Sequence, residues 1–278
     1  MKCFYHKSDL DGICSGAIVR KKYPGCTMIG FDYGDQFLAE KLNPKELLIL
    51  VDISLSSETM TGFLKNDIKV IWIDHHHSAL QLAEEHGYSK IRGMRKVGVG
   101  ACILTWQYFF ESVVPESVRM LGEYDVWDHK KPDTVPFHNR RNSLGLSVYS
   151  HLWTKLFADD NLSYTIHTGK KILRYIKEST KKLADLTMYK KTWKGYTVSF
   201  INSCIIDSIF YTFLPRENLF ECDFIVSYYR SKNREYRVSL RTYKDNIDVS
   251  EIAMSYGGGG HKSAAGFICE TLPWIKEE

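Results

Sequence analysis

The 278-residue sequence predicts an α/β protein of two domains: a parallel-sheet α/β domain first, then a smaller mixed α/β domain, joined by a helical linker. Three observations carry that prediction. Short apolar runs alternate with helix-compatible segments over residues 2–74, the order that builds parallel sheets. A long amphipathic stretch at 164–189 sets Ile166, Ile172, Leu173, Ile176, Leu183 and Leu186 among lysines, as a connecting helix would. Beyond Lys194 the texture turns to β-branched and aromatic runs, typical of strands with one wet face. The expected boundaries are 1–163 for the first domain, 164–193 for the linker and 194–278 for the second domain.

Taken in order, residues 2–5 form a first strand that runs into His6, Asp9 and Asp11. A helix at 13–22 ends at Pro24-Gly25, and 26–31 is a second strand. The run 47–51 is a third strand, leading into Asp52 and Ser54, and 57–64 is a short helix. A fourth strand, 68–73, delivers Asp74, His75, His76 and His77 together at its end. Glycines at 98 and 100 open a buried helix over 97–110, and a helix at 116–123 ends in Tyr124-Asp125. Pro132, Pro136 and scattered charges predict an exposed loop at 130–142, followed by a helical segment at 144–156. In the second domain, strands are expected at 196–201, 224–229 and 234–241. A brief helix at 250–255 then precedes Gly257-Gly258-Gly259-Gly260-His261.

Composition bounds the function. With 44% apolar residues the chain builds an ordinary core, and a net charge of +4 suits an anionic substrate without the density of a dedicated nucleic-acid binder. Seven cysteines stand singly, as expected of reduced thiols inside a cell. No 18-residue apolar stretch exists to span a bilayer, and the first strand begins too early for a signal peptide. A cytoplasmic protein with no membrane partner is expected.

The chemistry-bearing residues cluster at strand ends, where open α/β sheets bind ligands. In His6-x-x-Asp9-x-Asp11-Gly12 two carboxylates straddle one residue beside an imidazole, a donor set suited to Mn²⁺; the same spacing also suits an Asx-turn capping a helix. Asp52 either caps the turn behind it or bridges two metals. Adjacent histidines point in different directions, so one of His75 and His76 would ligate while the other meets substrate. Asp74 stands behind them as an acceptor for a ring N–H, and His77 has no role. Asp125 is either a solvated helix-end acid or a further ligand, since two divalent ions need several carboxylates to offset their charge. The glycine run at 257–260 would let backbone N–H groups approach a phosphate, with a helix starting near His261 adding its positive end; a flexible hairpin is the alternative. Arg241 offers a guanidinium fork for the same phosphate.

Together, His6-x-x-Asp9-x-Asp11-Gly12, Val51-Asp52-Ile53-Ser54, Asp74-His75-His76 and Tyr124-Asp125 resemble the four motifs of the DHH phosphoesterase superfamily. The segments Ser239-Leu240-Arg241, Val249-Ser250-Glu251-Ile252-Ala253 and Gly258-Gly259-Gly260-His261 through Ala264-Ala265-Gly266 are similar to that family's DHH-associated substrate domain. His6 and Asp9 stand three residues apart, where many nanoRNase-like members have four. The resemblance implies two Mn²⁺ ions, with Mg²⁺ and Co²⁺ sharing the ligand preference. His6, Asp9 and Asp52 would hold one ion, and Asp11, Asp52, His75 and Asp125 the other. Asp52, His75 and His76 would be the catalytic residues, and His76, Arg241, Gly258, Gly259, Gly260 and His261 would bind substrate.

The implied activity is a Mn²⁺-dependent phosphodiesterase that hydrolyses short oligonucleotides or small nucleotides by two-metal activation of water. The alternatives are a cyclic dinucleotide phosphodiesterase, a 3′-phosphonucleotide phosphatase, or a non-catalytic nucleic-acid-binding module. Monomer and homodimer both remain open.

Overall fold

The computed structural model describes the chain apart from residues 33–34, 38–44, 129–130, 205–207, 216–218, 220 and 277–278. It divides into two compact units, Met1–Ile172 and Leu173–Glu278, each with its own sheet.

In the first unit five strands form one parallel sheet: β1 (Lys2–His6), β2 (Thr27–Phe31), β3 (Leu48–Val51), β4 (Val70–Asp74) and β5 (Gly93–Arg95). Their order is β2-β1-β3-β4-β5, so the chain reverses its winding between β1 and β3. Both faces are covered, which is why β3 and β4 read as continuous apolar runs. Leu48, Leu50, Val70 and Trp72 pack on one face against Met60 and Phe63 of α2 (Ser57–Lys65) and Ala79 and Ala83 of α3 (His77–Glu85). Ile49, Val51, Ile71 and Ile73 pack on the other, against Val19 of α1 (Leu10–Lys22) and Leu104 and Phe109 of α4 (Ala101–Phe109).

Three further described helices lie wholly in this unit: α5 (Glu116–Asp125), α6 (Thr134–Asn142) and α7 (Leu152–Phe157). The exposed loop expected at 130–142 is therefore largely helix, and Pro136 and Phe137 are buried in it. Proline is tolerated there because Pro136 lies in the first turn, where a backbone N–H has no partner within the helix to lose. The helix expected at 144–156 is confined to its last part, since Gly145 turns the backbone to φ 56°. A 26-residue helix, α8 (Leu162–Thr187), spans the division between the units.

The second unit is a six-stranded mixed sheet in the order β10-β11-β9-β8-β7-β6. Its strands are β6 (Tyr189–Trp193), β7 (Tyr196–Asn202), β8 (Phe224–Arg230), β9 (Tyr236–Arg241), β10 (Gly259–His261) and β11 (Ala264–Cys269). Among the described residues only β7 and β8 pair in parallel. Residues 189–193, expected to lie in the helical linker, form an edge strand instead. Lys194 and Gly195, both at positive φ, turn it back into β7 as a two-residue hairpin loop does. One face packs on α10 (Val249–Met254) and α11 (Pro273–Lys276) through Ile252, Ala253 and Trp274. Ile201 and Ile225 of the sheet join Ala184 of α8 and Phe210 and Tyr211 of α9 (Ser208–Thr212) in a second cluster.

The helix expected to begin near His261 is not formed. Gly259–His261 is a strand paired antiparallel with Ala264–Gly266, and the glycines serve that hairpin. A Cβ on Gly258 would meet the Gly266 carbonyl oxygen at 2.1 Å, and one on Gly260 would meet Ala265 Cα at 2.5 Å. Close strand approach, with φ of 146° at Gly260, demands glycine at these two positions.

Candidate metal centre

The strand order sets β1, β3 and β4 side by side, so the residues at their carboxyl ends converge at the point where the winding reverses, the position at which open α/β sheets bind ligands. His6 closes β1, Asp52 follows β3, and His75 follows β4. Asp9 is the N-cap of α1 and Asp11 lies in its first turn. Asp125 is the last residue of α5. All six expected ligands are brought together in the first unit.

Around His6, Nδ1 lies 2.7 Å from Asp9 Oδ2 and 3.5 Å from Asp52 Oδ2. Around His75, Nε2 lies 3.1 Å from Asp52 Oδ1, 3.3 Å from Asp125 Oδ2 and 3.9 Å from Asp11 Oδ2. Within His6–Asp9–Asp52, and again within Asp11–His75–Asp125, one donor atom per residue lies within 4.8 Å of the others, a spacing that can hold a cation. Asp52 stands between the two groups. It sits at φ 60°, a left-handed conformation that Asp tolerates, and its N–H still donates to the Ile73 carbonyl, 2.9 Å away.

The backbone is shaped around these groups. Gly12 is required because a Cβ there would meet the His6 carbonyl oxygen at 2.3 Å. Asp9 accepts a hydrogen bond from the Gly12 N–H at 2.8 Å, so the Asx cap weighed against a metal ligand is formed by a carboxylate that also faces His6. The buried Asp11 carboxylate accepts the N–H groups of Ala101 and Cys102 at 2.6 and 3.0 Å, seating the positive end of α4 on it. That helix end is what the glycines at 98 and 100 lead into.

Behind the histidines, Asp74 is fully buried. It accepts the backbone N–H groups of His75 and His76 at 2.7 and 3.2 Å, and the Trp72 indole N–H at 3.2 Å. His76 Nδ1 lies 2.7 Å from Asp74 and 4.0 Å from Asp52, and His76 joins Asp52 and His75 in a third group whose donor atoms lie within 4.8 Å of one another. Sequence reasoning missed one partner: Asp32, beyond β2, approaches His6 Nε2 at 3.3 Å and accepts the Ser8 hydroxyl. An acid one residue past a strand end was its only signal.

The charges are unbalanced without a cation. Burial pushes Asp11 well above the usual carboxylate range, with Asp52 and Asp125 adding repulsion, and burial beside Asp52 raises Asp125 as well. The neighbouring Asp52 and Asp9 carboxylates push His6 up to about 11. Burial alone would lower His75, but the close Asp52 carboxylate and the charges of Asp11 and Asp125 outweigh it and raise the ring. Asp52 Oδ1 is buried and accepts no hydrogen bond of good geometry, although His75 Nε2 is 3.1 Å away. A ring nitrogen and carboxylate oxygens gathered in this way, with buried acids repelling one another, fit divalent cations.

The expected substrate residues lie in the second unit. Arg241 pairs across the sheet with Ala264, and Ala264 with His261, so Arg241 and His261 share one row and one face. The Arg241 guanidinium sits 4.8 Å from the Tyr211 ring centroid, and Gly258, Gly259 and Gly260 lead into the same hairpin.

Comparison with known proteins agrees with this layout. Residues 3–95 match the DHH family N-terminal domain, and residues 217–276 match the DHHA1 domain. The chain belongs to the DHH phosphoesterase superfamily. This DHH protein is 25% identical over 271 residues to uncharacterized protein R106 of Acanthamoeba polyphaga mimivirus, matching along 94% of its own length and 57% of that protein's. It is also 25% identical over 293 residues to oligoribonuclease NrnB of Bacillus subtilis, covering 94% of itself and 71% of NrnB. Its fold resembles that of the pGpG-specific phosphodiesterase PggH of Vibrio, with a TM-score of 0.56, 12% identity, and coverage of 96% of this chain and 92% of that one. Among the described residues, no helix is long and apolar enough to cross a membrane.

Proposed function

We propose that this DHH protein is a metal-dependent phosphodiesterase that hydrolyses short oligonucleotides or small nucleotides, with Mn²⁺ as its working ion. The observation that carries the proposal is the cluster around Asp52: four carboxylates and two imidazoles at a topological switch point, too crowded with charge to serve a metal-free fold. Similarity to the oligoribonuclease NrnB supports the substrate class, and the fold shared with a pGpG-specific phosphodiesterase is consistent with it.

In this reading His6, Asp9 and Asp52 hold one ion, and Asp11, Asp52, His75 and Asp125 hold the other. Bound there, the pair supplies an acidified water and positive charge for the phosphoryl oxygens. The chain's own residues do the rest. Asp52 shares its two oxygens between the groups and fixes their spacing. Asp74 holds His76 Nδ1 and so orients the ring that would meet the phosphate. In the second unit Arg241 and His261 are suited to hold a phosphate from one face of the sheet. Cyclic dinucleotides and 3′-phosphonucleotides would suit the same centre.

The test is hydrolysis of bis-p-nitrophenyl phosphate by the full chain with Mn²⁺. Asp52→Ala and His75→Ala should each abolish most of the rate, and equal rates with and without metal would overturn the proposal. A panel of di- to pentaribonucleotides, cyclic dinucleotides and 3′,5′-bisphosphoadenosine, each assayed with Mn²⁺, Mg²⁺ and Co²⁺, then ranks the substrates and ions.

A further inference from the structure

Of the six tryptophans, five are buried: Trp72, Trp106, Trp153, Trp193 and Trp274 are each at most 4% exposed. Trp127 is 57% exposed. Its position is as unusual as its exposure. Helix α5 ends at Asp125, and the Trp127 N–H bonds the Tyr124 carbonyl at 3.1 Å while the Asp128 N–H bonds the Glu123 carbonyl at 2.9 Å. That bond pair is a Schellman ending, whose left-handed residue is usually glycine because a Cβ is penalised there. Here the residue is tryptophan, at φ 58°. Among the described non-glycine residues at positive φ, the others are Asp, Asn, Lys and Arg, so Trp127 is the one aromatic. Neither burial nor backbone preference accounts for a large ring at this spot, and strain held at a surface aromatic is a mark of function.

What surrounds it suggests the function. Trp127 follows Asp125 by two residues, which places the two Cα atoms within about 7 Å of each other. Asp125 itself reaches His75 at 3.3 Å. The Tyr124 ring meets the indole edge-to-face with centroids 6.1 Å apart, and is itself stacked on His138 at 3.4 Å and 6°. The indole is thus braced by an aromatic pair, two residues along the chain from a carboxylate of the metal centre. A side chain carried this close along the chain to a candidate ligand of a phosphate-binding centre is within the reach of a nucleotide, whose base lies one sugar away from its phosphate.

We propose that Trp127 is a stacking platform for a nucleobase of the substrate, next to the phosphate being cleaved. The inference rests on the phosphodiesterase reading above and adds the residue that would hold a base of the substrate. Stacking is sequence-tolerant, since every base offers a π face, so Trp127 would set affinity for base-bearing diesters without selecting among them.

The experiment compares wild type, Trp127→Phe and Trp127→Gly, all loaded with Mn²⁺, on a diribonucleotide and on the same diester lacking both bases. Trp127→Gly should raise KM for the diribonucleotide about tenfold or more, the range of one lost base–aromatic stack, and leave the abasic diester unchanged. Trp127→Phe should keep most of the affinity. Glycine suits the left-handed position, so Trp127→Gly should also be at least as stable as wild type, which excludes misfolding as the cause. Because Trp127 is the exposed tryptophan, a non-hydrolysable dinucleotide should shield wild-type fluorescence from acrylamide. An unchanged diribonucleotide KM in Trp127→Gly, or equal losses on both diesters, overturns the stacking role while leaving the phosphodiesterase intact. Failure of wild type to cleave either diester overturns the activity and the inference with it.

Discussion

His6 is gripped from both ring nitrogens, by Asp9 and Asp52 on one side and by Asp32 on the other. An acid behind a ligating imidazole sets its orientation and basicity, so Asp32→Ala should weaken Mn²⁺ binding by about 10–100-fold, read by titration calorimetry. Charge makes a second prediction. Without metal, His6 at about 11 and the raised His75 are protonated at neutral pH, and a cation must displace those protons to bind. Binding should therefore release protons at pH 7 and tighten as pH rises, visible as a buffer-dependent heat. Stability of the metal-free chain runs the opposite way. Both rings hold their protons more tightly folded than at the ordinary value of 6.5, so their contribution is complete below that value and is lost as pH rises, through about 11 for His6.

At the scale of elements, the turn from β1 into α1 has no room for a side chain at Gly12, and Gly12→Ala tests it. The added methyl must displace the His6 carbonyl or the helix start, which should cost about 1–3 kcal/mol in urea unfolding and loosen metal binding together. The strands of the first sheet and the residues at their ends were legible because apolar runs bounded by polar turns are local signals. Two elements were not. Helix α6 carries Pro136 in its first turn, where proline's missing N–H does no harm, and composition alone reads the same prolines as a loop. The glycine run beside His261 looked like an anion cradle at a helix start, yet Gly258 and Gly260 are small because β11 passes close to them. Glycine composition does not distinguish a cradle from close backbone packing.

At the scale of the molecule, the two units have separate sheets and separate cores, and among the described residues the candidate ligands lie in the first alone. A cation that binds only the folded first unit should raise its unfolding midpoint, by about 2.7 kcal/mol of stability at one hundred times the dissociation constant. Scanning calorimetry should show that shift in one of two transitions, and Asp52→Ala should remove it.

The amino-acid sequence by itself determined that strands would end in His6, Asp52 and the Asp74-His75-His76 run, because strand signals and the polar residues closing them are written locally. Only the tertiary structure decided that β1, β3 and β4 are neighbours, and that Asp125 arrives from α5 to face His75. The order of strands is set by packing between distant segments, which no local periodicity records. The same holds for Asp11, which seats the start of α4 from 90 residues away, and for the Schellman turn that leaves Trp127 exposed beside Asp125.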